Sequence, residues 1–389
     1  MTNTMPSIPL TPLLVPEDPE LAVTALQRAV EAAHRGDRAV APITDPAQAR
    51  SLPETVAAGT AALLSTSGSS GVPKRTLLSR SALLASARAT SERLGGPGDW
   101  LLCLPAGFVA GFQVISRAVL GGTRVSALRE GRFDPAGFAA AARALPAGRR
   151  YTSLVPTQIA RLLADAESRD ALAGFDRVLI GGARLDEATD RRLRAVTAAV
   201  ITYGMTETCG GCVYDGVPLR GVRVRIVDEL IHIGGDVVAD GYLDPPADQP
   251  FYTEDGTRWY RTADRGLLSA DVLVPTGRID DLINTGGVKV SAIAIEQALS
   301  EFSDIQAAVV MGVPDPEWGE LVGAYVVPRQ GVPMPDPELL RDRVRQRLGR
   351  AAVPKRFVLG TEVPLLPNSK IDRRAVHQRL TTGTEPAHA

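Results

Sequence analysis

At 389 residues the chain exceeds what one ordinary hydrophobic core organises and is long enough for two domains. Its 44% hydrophobic and 22% charged residues mark a folded globular protein and not a disordered one. With 43 Lys and Arg against 44 Asp and Glu, nothing global draws it to nucleic acid or to an anionic membrane surface, and no apolar run approaches the roughly 20 residues that a spanning helix needs.

The amino terminus, Met1-Thr-Asn-Thr-Met-Pro6, has neither a basic head nor an apolar core, so no secretory signal is expected. Asp18-Pro19 has the form of an N-cap and a first-turn proline, and Leu21, Leu26 and Val30 then suit an amphipathic helix to about Ala33. Short apolar runs and helical segments alternate from there. Ala61–Leu64 precedes a helix near Arg80–Leu94, Trp100–Leu104 precedes Gly111–Leu120, and Tyr151–Val155 precedes Gln158–Ala164. Arg177–Ile180 then precedes a helix from Asp186 to about Ala198, and Val200–Tyr203 reads as another buried strand end. This alternation predicts a parallel sheet covered on both faces. Such sheets place ligands at the loops ending their strands, here the glycine-bearing loops after Ile180 and Tyr203.

From Gly221 the pattern changes. Val222–Val227 and Glu229–Gly234 alternate about a tight turn at Asp228, which predicts a small antiparallel unit. A helix near Ala292–Leu299, strands at Ala307–Val313 and Leu321–Val327, a charged helix at Pro337–Leu348 and a basic tail follow, the mixture of a separate α+β domain. Residues after about Thr381 are expected to be disordered. The fold class is therefore α/β: a large amino-terminal domain of layered sheets with a small antiparallel subdomain, and a smaller α+β carboxy-terminal domain. Cys209 and Cys212 have Cys-x-x-Cys spacing, but the only other cysteine is Cys103 and no histidine lies near the pair in sequence, so neither a zinc site nor a redox role is expected. A reduced, cytoplasmic compartment fits better.

One segment carries most of the chemistry. The run Ala61–Leu64 enters Ser65-Thr-Ser-Gly-Ser-Ser-Gly-Val-Pro-Lys74, in which Thr66, Ser67, Ser69 and Ser70 alternate with Gly68 and Gly71 before Lys74. Glycines let successive N–H groups turn toward one point, and the hydroxyls and the lysine add donors, giving a cradle for a polyphosphate. The spacing differs from the phosphate loop of nucleotide hydrolases, because valine and proline separate glycine from lysine.

Four more segments stand in order behind it: Tyr203-Gly-Met-Thr-Glu-Thr208, Tyr260-Arg-Thr-Ala-Asp264, Gly277-Arg-Ile-Asp-Asp-Leu-Ile-Asn-Thr-Gly-Gly-Val-Lys289 and Asn368-Ser-Lys-Ile-Asp372. Together the five resemble the motifs of the adenylate-forming superfamily of acyl-CoA synthetases, luciferases and peptide-synthetase adenylation domains, over nearly the whole chain. The resemblance implies an acid–thiol ligase that converts a carboxylate to an acyl-adenylate with ATP and Mg²⁺, then passes the acyl group to coenzyme A. A carboxylate is a poor electrophile, and adenylation gives it a good leaving group. Positive charge and donors must then gather where charge accumulates.

By the same resemblance Lys370 bridges the carboxylate and the α-phosphate, Glu207 holds Mg²⁺, and Thr206 donates to the α-phosphate. Asp264 accepts the ribose hydroxyls, Arg278 reaches the ribose or α-phosphate, and Tyr203 and Gly204 border the adenine. Gly181, Gly182 and Ala183 let the base and acyl group pass close to backbone. Asp280 occupies the hinge between domains at 1–279 and 281–389, the second one mobile, while Gly286, Gly287 and Lys289 line the path of the thiol. The expected partner is a small aromatic or aliphatic carboxylic acid, or a carrier protein in place of coenzyme A. A homodimer is admitted; nucleic acid and membrane insertion are not.

The phosphate loop lies unusually near the start of the chain, a compact build similar to that of actinobacterial o-succinylbenzoate–CoA ligases, which act in menaquinone biosynthesis. The segments Leu104–Arg117, Thr152–Gln158 and Val178–Ala183 resemble theirs as well. Two residues depart from the pattern. Arg75 replaces a glycine after the loop lysine, and Phe108 replaces a histidine between nucleotide and acyl pocket. Arg117 is a candidate for an acid's second carboxylate, with a solvent-facing residue or a structural ion pair as the alternatives.

Overall fold

The computed structural model describes residues 6–66, 74–128, 133–329, 331–333, 336–366 and 371–383, with Asp280 described by its backbone only. It divides into two compact units, Met1–Thr262 with Leu267–Val274, and Ala263–Gly266 with Pro275–Ala389.

The expected alternation builds the centre of the first unit. Strands Val125–Ala127, Asp99–Leu102, Arg150–Leu154, Arg177–Ile180 and Ala199–Met205 lie side by side, all parallel, and Gly210–Tyr214 and Val217–Pro218 extend this sheet antiparallel. Successive side chains enter different cores, as the two-residue period of a strand requires. Trp100, Leu102, Leu179 and Val200 pack in one core with helices Pro19–Arg35, Arg80–Leu94 and Val109–Gly121. Leu101, Cys103, Val178, Ile180 and Ala199 enter the other, among Phe138, Ile159, Leu162 and Leu193 of the helices covering the opposite face. The sheet is buried on both sides.

A second sheet of six strands holds the hairpin Thr60–Ser65 and Arg75–Ser79, together with Ala39–Ile43 and the strand Ser7–Leu14. Ser7–Leu14 escapes a sequence reading because Pro9 and Pro12 lack ladder donors. It works because its two halves use different edges: Ser7–Pro9 pair with Thr55–Ala57, and Leu10–Leu14 with Ala39–Ile43. The predicted antiparallel unit is present as Val222–Val227 and Leu230–Gly235. Its two-residue turn has Asp228 at φ 49° and Glu229 at φ 66°, the left-handed pair that matches strand twist.

In the second unit, the long strands Ile305–Asp315 and Gly319–Pro328 pair antiparallel. Val322, Ala324 and Val326 face helices Ala292–Ser300 and Pro337–Leu348, while Leu321, Tyr325 and Val327 face helix Arg373–Thr382. That last helix lies in the stretch read only as a basic tail. It buries no more than Val376 and Leu380, one residue per turn, so its apolar stripe is lost among arginines. Its start is fixed by Asp372, whose carboxylate accepts the N–H groups of Arg374 and Ala375 at 3.1 Å each. Among the described residues no helix is long and apolar enough to cross a membrane.

Candidate active site

In the first unit the carboxyl ends of two neighbouring parallel strands present the expected loops. Arg177–Ile180 delivers Gly181, Gly182 and Ala183, and Ala199–Met205 delivers Tyr203, Gly204 and the short 3₁₀ turn Thr206–Thr208. Gly204 has φ 159°, and a Cβ there would stand 2.1 Å from the carbonyl of Gly210, so this position requires glycine. The Thr208 hydroxyl receives the Met205 N–H at 3.0 Å, which closes the turn. No helix starts at Thr208; strand Gly210–Tyr214 follows.

Thr206 and Glu207 are both buried. Tyr242 donates its hydroxyl to Glu207 Oε1 at 2.6 Å, and the Ala239 N–H donates to the Glu207 carbonyl at 2.8 Å. Burial and the nearby Glu207 push the Tyr242 phenol well above its ordinary pKa, so it stays a donor. No ion pair reaches Glu207 among the described residues, and its carboxylate spends only Oε1 on a described hydrogen bond. A carboxylate held by a neutral donor, with one oxygen to spare, suits a hard divalent cation. Among the described residues no cluster of three or more His, Cys, Asp or Glu could hold a metal alone, so the remaining ligands would come from phosphate oxygens.

The hairpin Thr60–Ser65 and Arg75–Ser79 presents the phosphate-loop segment. Ser65 pairs with Arg75, and the Thr66 N–H donates to the Lys74 carbonyl at 2.9 Å. Ser67, Gly68, Ser69, Ser70 and Gly71 lie outside the described residues, as does Lys370. Lys74 places Nζ 5.4 Å from the centroid of the Tyr242 ring. Arg75 turns elsewhere, with Nε donating to Asp244 at 2.9 Å and Nη1 reaching the Ser51 carbonyl. Arg75 thereby holds Ser51 and Asp244 together.

Arg117 is buried and, among the described residues, makes no ion pair. It is 9% exposed, its guanidinium lies 5.9 Å from the Trp100 ring centroid, and its Nε has no hydrogen-bond partner. Gln113 Oε1 and Ser116 Oγ, on the same helix face, are also buried and unpartnered. Arg117 lines a cavity of about 460 Å³ with Arg88, Glu92, Trp100 and Tyr151, at the amino ends of strands Asp99–Leu102 and Arg150–Leu154. Its charge also bears on the buried Cys209, next to the Thr206–Thr208 turn. Phe108 is the half-buried N-cap of helix Val109–Gly121 and makes no side-chain cap. Cys209 and Cys212 are free, buried and pushed above the ordinary thiol range, Cys212 to about 12, chiefly by burial.

In the second unit Arg278 and Asp264 come together, Nη1 to Oδ1 at 2.8 Å. Gly286 and Gly287, at φ 59° and 82°, form the exposed turn between strands Leu282–Thr285 and Val288–Ser291, and Lys289 is exposed on the second strand. A Cβ on Gly286 would meet Trp318 at 2.8 Å. Trp318, itself 39% exposed, carries Lys355 Nζ 2.9 Å from its ring centroid. The sequence reading missed this pair because Gly286, Trp318 and Lys355 are far apart in the chain. Asp280 sits in the 3₁₀ turn Ile279–Asp281.

Residues 9–243 match the AMP-binding enzyme family, and residues 294–370 match the AMP-binding enzyme C-terminal domain. The chain belongs to the AMP-binding enzyme family. It is 40% identical over 326 residues to the "Probable 2-succinylbenzoate–CoA ligase" of Mycobacterium tuberculosis, covering 82% of this chain and 84% of that protein. It is 29% identical over 354 residues to the 2-succinylbenzoate–CoA ligase of Enterococcus faecalis, covering 84% and 70%. The o-succinylbenzoate CoA synthetase of Bacillus subtilis, solved with its acyl-adenylate intermediate, shares the fold at a TM-score of 0.71 and 21% identity, over 94% of this chain and 82% of that one.

Proposed function

We propose that the chain is an ATP-dependent, AMP-forming acyl-CoA ligase whose acid is o-succinylbenzoate, acting in the cytoplasm in menaquinone biosynthesis. Relatives of that name along four-fifths of the chain support the reaction and its acid, with Arg117 as the candidate for the second carboxylate. Its buried Nε has no described hydrogen-bond partner, which is costly unless a ligand supplies one. An acid with a second carboxylate supplies that partner, and the planar fork matches it in two parallel hydrogen bonds.

In the adenylation step Lys74 and the loop before it take the triphosphate. Glu207 would hold Mg²⁺, which when bound would neutralise charge on the phosphate oxygens. Thr206 donates to the α-phosphate, and Lys370 stabilises the charge that builds as the acid attacks. Asp264 and Arg278 take the ribose, with Tyr203 and Gly204 beside the base. The turn at Gly286 and Gly287, with Lys289, serves the thiol in the second step. The decisive experiment is a pyrophosphate-release screen over o-succinylbenzoate, simple benzoates, aliphatic diacids and fatty acids, followed by coenzyme A and mass detection of the thioester. Release with every acid except o-succinylbenzoate would end the substrate reading, and a product formed only with a carrier protein would end the coenzyme A reading.

Phe108 favours a second reading, another aryl-CoA ligase whose acid wants an apolar wall. Phe108→His is expected to change adenylation of o-succinylbenzoate by less than ~10-fold if only an aromatic face is needed, and Phe108→Ala to cost more. Truncating a buried phenylalanine loses ~3–5 kcal/mol, and this half-buried one less, so the fold of the alanine variant is checked first. If histidine raises kcat/KM by orders of magnitude, the second reading replaces the first.

Asp280→Pro tests the hinge. Proline fixes φ near −65°, so adenylation should survive within about 2-fold while thioester formation from supplied adenylate falls at least ~10-fold. A normal thioester rate in single-turnover experiments would move the hinge elsewhere.

A further inference from the structure

We propose that Tyr242 is the positioning residue that fixes the Glu207 carboxylate for Mg²⁺·ATP, wiring together three nucleotide motifs that are distant in sequence. This rests on the reading that Glu207 holds the metal. Tyr242 belongs to none of the five motifs. It sits on the two-residue strand Gly241–Tyr242, opposite Thr76 of the strand that follows the phosphate loop.

Three contacts converge on its side chain. Its hydroxyl donates to Glu207 Oε1 at 2.6 Å, and the Tyr260 hydroxyl lies 3.1 Å away. Because Tyr242 has one proton and gives it to the carboxylate, it can only accept from Tyr260 in the second contact. Tyr260 opens the ribose motif, and Lys74 of the phosphate loop stands 5.4 Å from the Tyr242 ring centroid. Phe251 packs edge-on against Tyr242 at 5.2 Å and lies 4.8 Å from the Tyr260 ring. The hydroxyl thus has little freedom: Glu207, Tyr242 and Tyr260 are each no more than 7% exposed.

Without the hydroxyl, Glu207 Oε1 is left in a buried position with no donor and the carboxylate is free to rotate away from the phosphates. Partners of this kind behind a metal ligand are worth roughly 10–100-fold in metal affinity. Tyr242→Phe keeps the ring, its packing and its face toward Lys74.

The test is calorimetric titration of the full-length protein with ATP, once with Mg²⁺ and once in EDTA, beside Tyr242→Phe, Tyr260→Phe and Glu207→Gln. Tyr242→Phe is expected to weaken Mg²⁺·ATP at least ~10-fold, leave metal-free ATP within 2-fold, and raise KM for Mg²⁺·ATP more than it lowers kcat. Tyr260→Phe should weaken Mg²⁺·ATP in the same direction by less, and it carries the test if Tyr242→Phe does not fold. In the Glu207→Gln background, Tyr242→Phe should add little further loss, since the pair acts as a unit. Equal loss with and without metal, or Mg²⁺·ATP binding within 2-fold of wild type, overturns the proposal. If Glu207→Gln binds Mg²⁺·ATP normally, the metal reading itself falls; if Glu207→Gln loses binding and Tyr242→Phe does not, only the role of Tyr242 falls.

Discussion

Lys370→Ala is expected to lower acyl-adenylate formation by ~100-fold or more while thioester formation from supplied adenylate largely survives. The asymmetry follows from where charge develops. Only the first step presses an anionic carboxylate against the α-phosphate, so only that transition state needs the ammonium group. Leu365 and Ile371 pair in an isolated bridge, and helix Arg373–Thr382 follows with its own cap. The substitution is expected to leave the thermal transition of the protein in place. Measuring the half-reactions separately, by pyrophosphate release and by single-turnover transfer, decides it. Equal losses in both would sink the assignment.

The chain reported its architecture in proportion to how regular its patterns are. Helix Arg80–Leu94 and strand Arg177–Ile180 have the bounds that periodicity predicts, because each puts apolar residues on faces that do become buried. Two patterns failed for physical reasons. Ser7–Leu14 hides behind two prolines, and Arg373–Thr382 hides behind arginines. The nucleotide motifs were legible because backbone geometry demands particular residues there, as Gly204 shows. What holds those motifs was not legible. Tyr242 looks like any core aromatic, and its bond to Glu207 exists only once two segments fold together. Arg75 and Arg117 illustrate the same limit. Each is an arginine near a motif, yet one clamps Asp244 and Ser51 while the other buries its Nε with no described acceptor.

Arg117→Met is the substitution that most directly separates substrate from scaffold. If Arg117 receives the second carboxylate of the acid, KM for o-succinylbenzoate should rise ~100-fold or more, since losing one partner of a desolvated charge pair costs about 2–5 kcal/mol. Simple benzoates, which lack that carboxylate, should be used about as poorly as before, and ATP binding should be unchanged. Stability provides the second measurement. In the free enzyme the Arg117 Nε is buried with no described acceptor, so an apolar side chain of similar reach should be tolerated. The contact with Trp100 works the other way, and at 5.9 Å from the ring it is worth roughly 0.5–2 kcal/mol. The two effects leave Tm about unchanged. A structural arginine would behave oppositely: Arg117→Met would lower Tm and reduce turnover of every acid alike. Selective loss of o-succinylbenzoate without loss of fold would identify Arg117 as the residue that receives its second carboxylate.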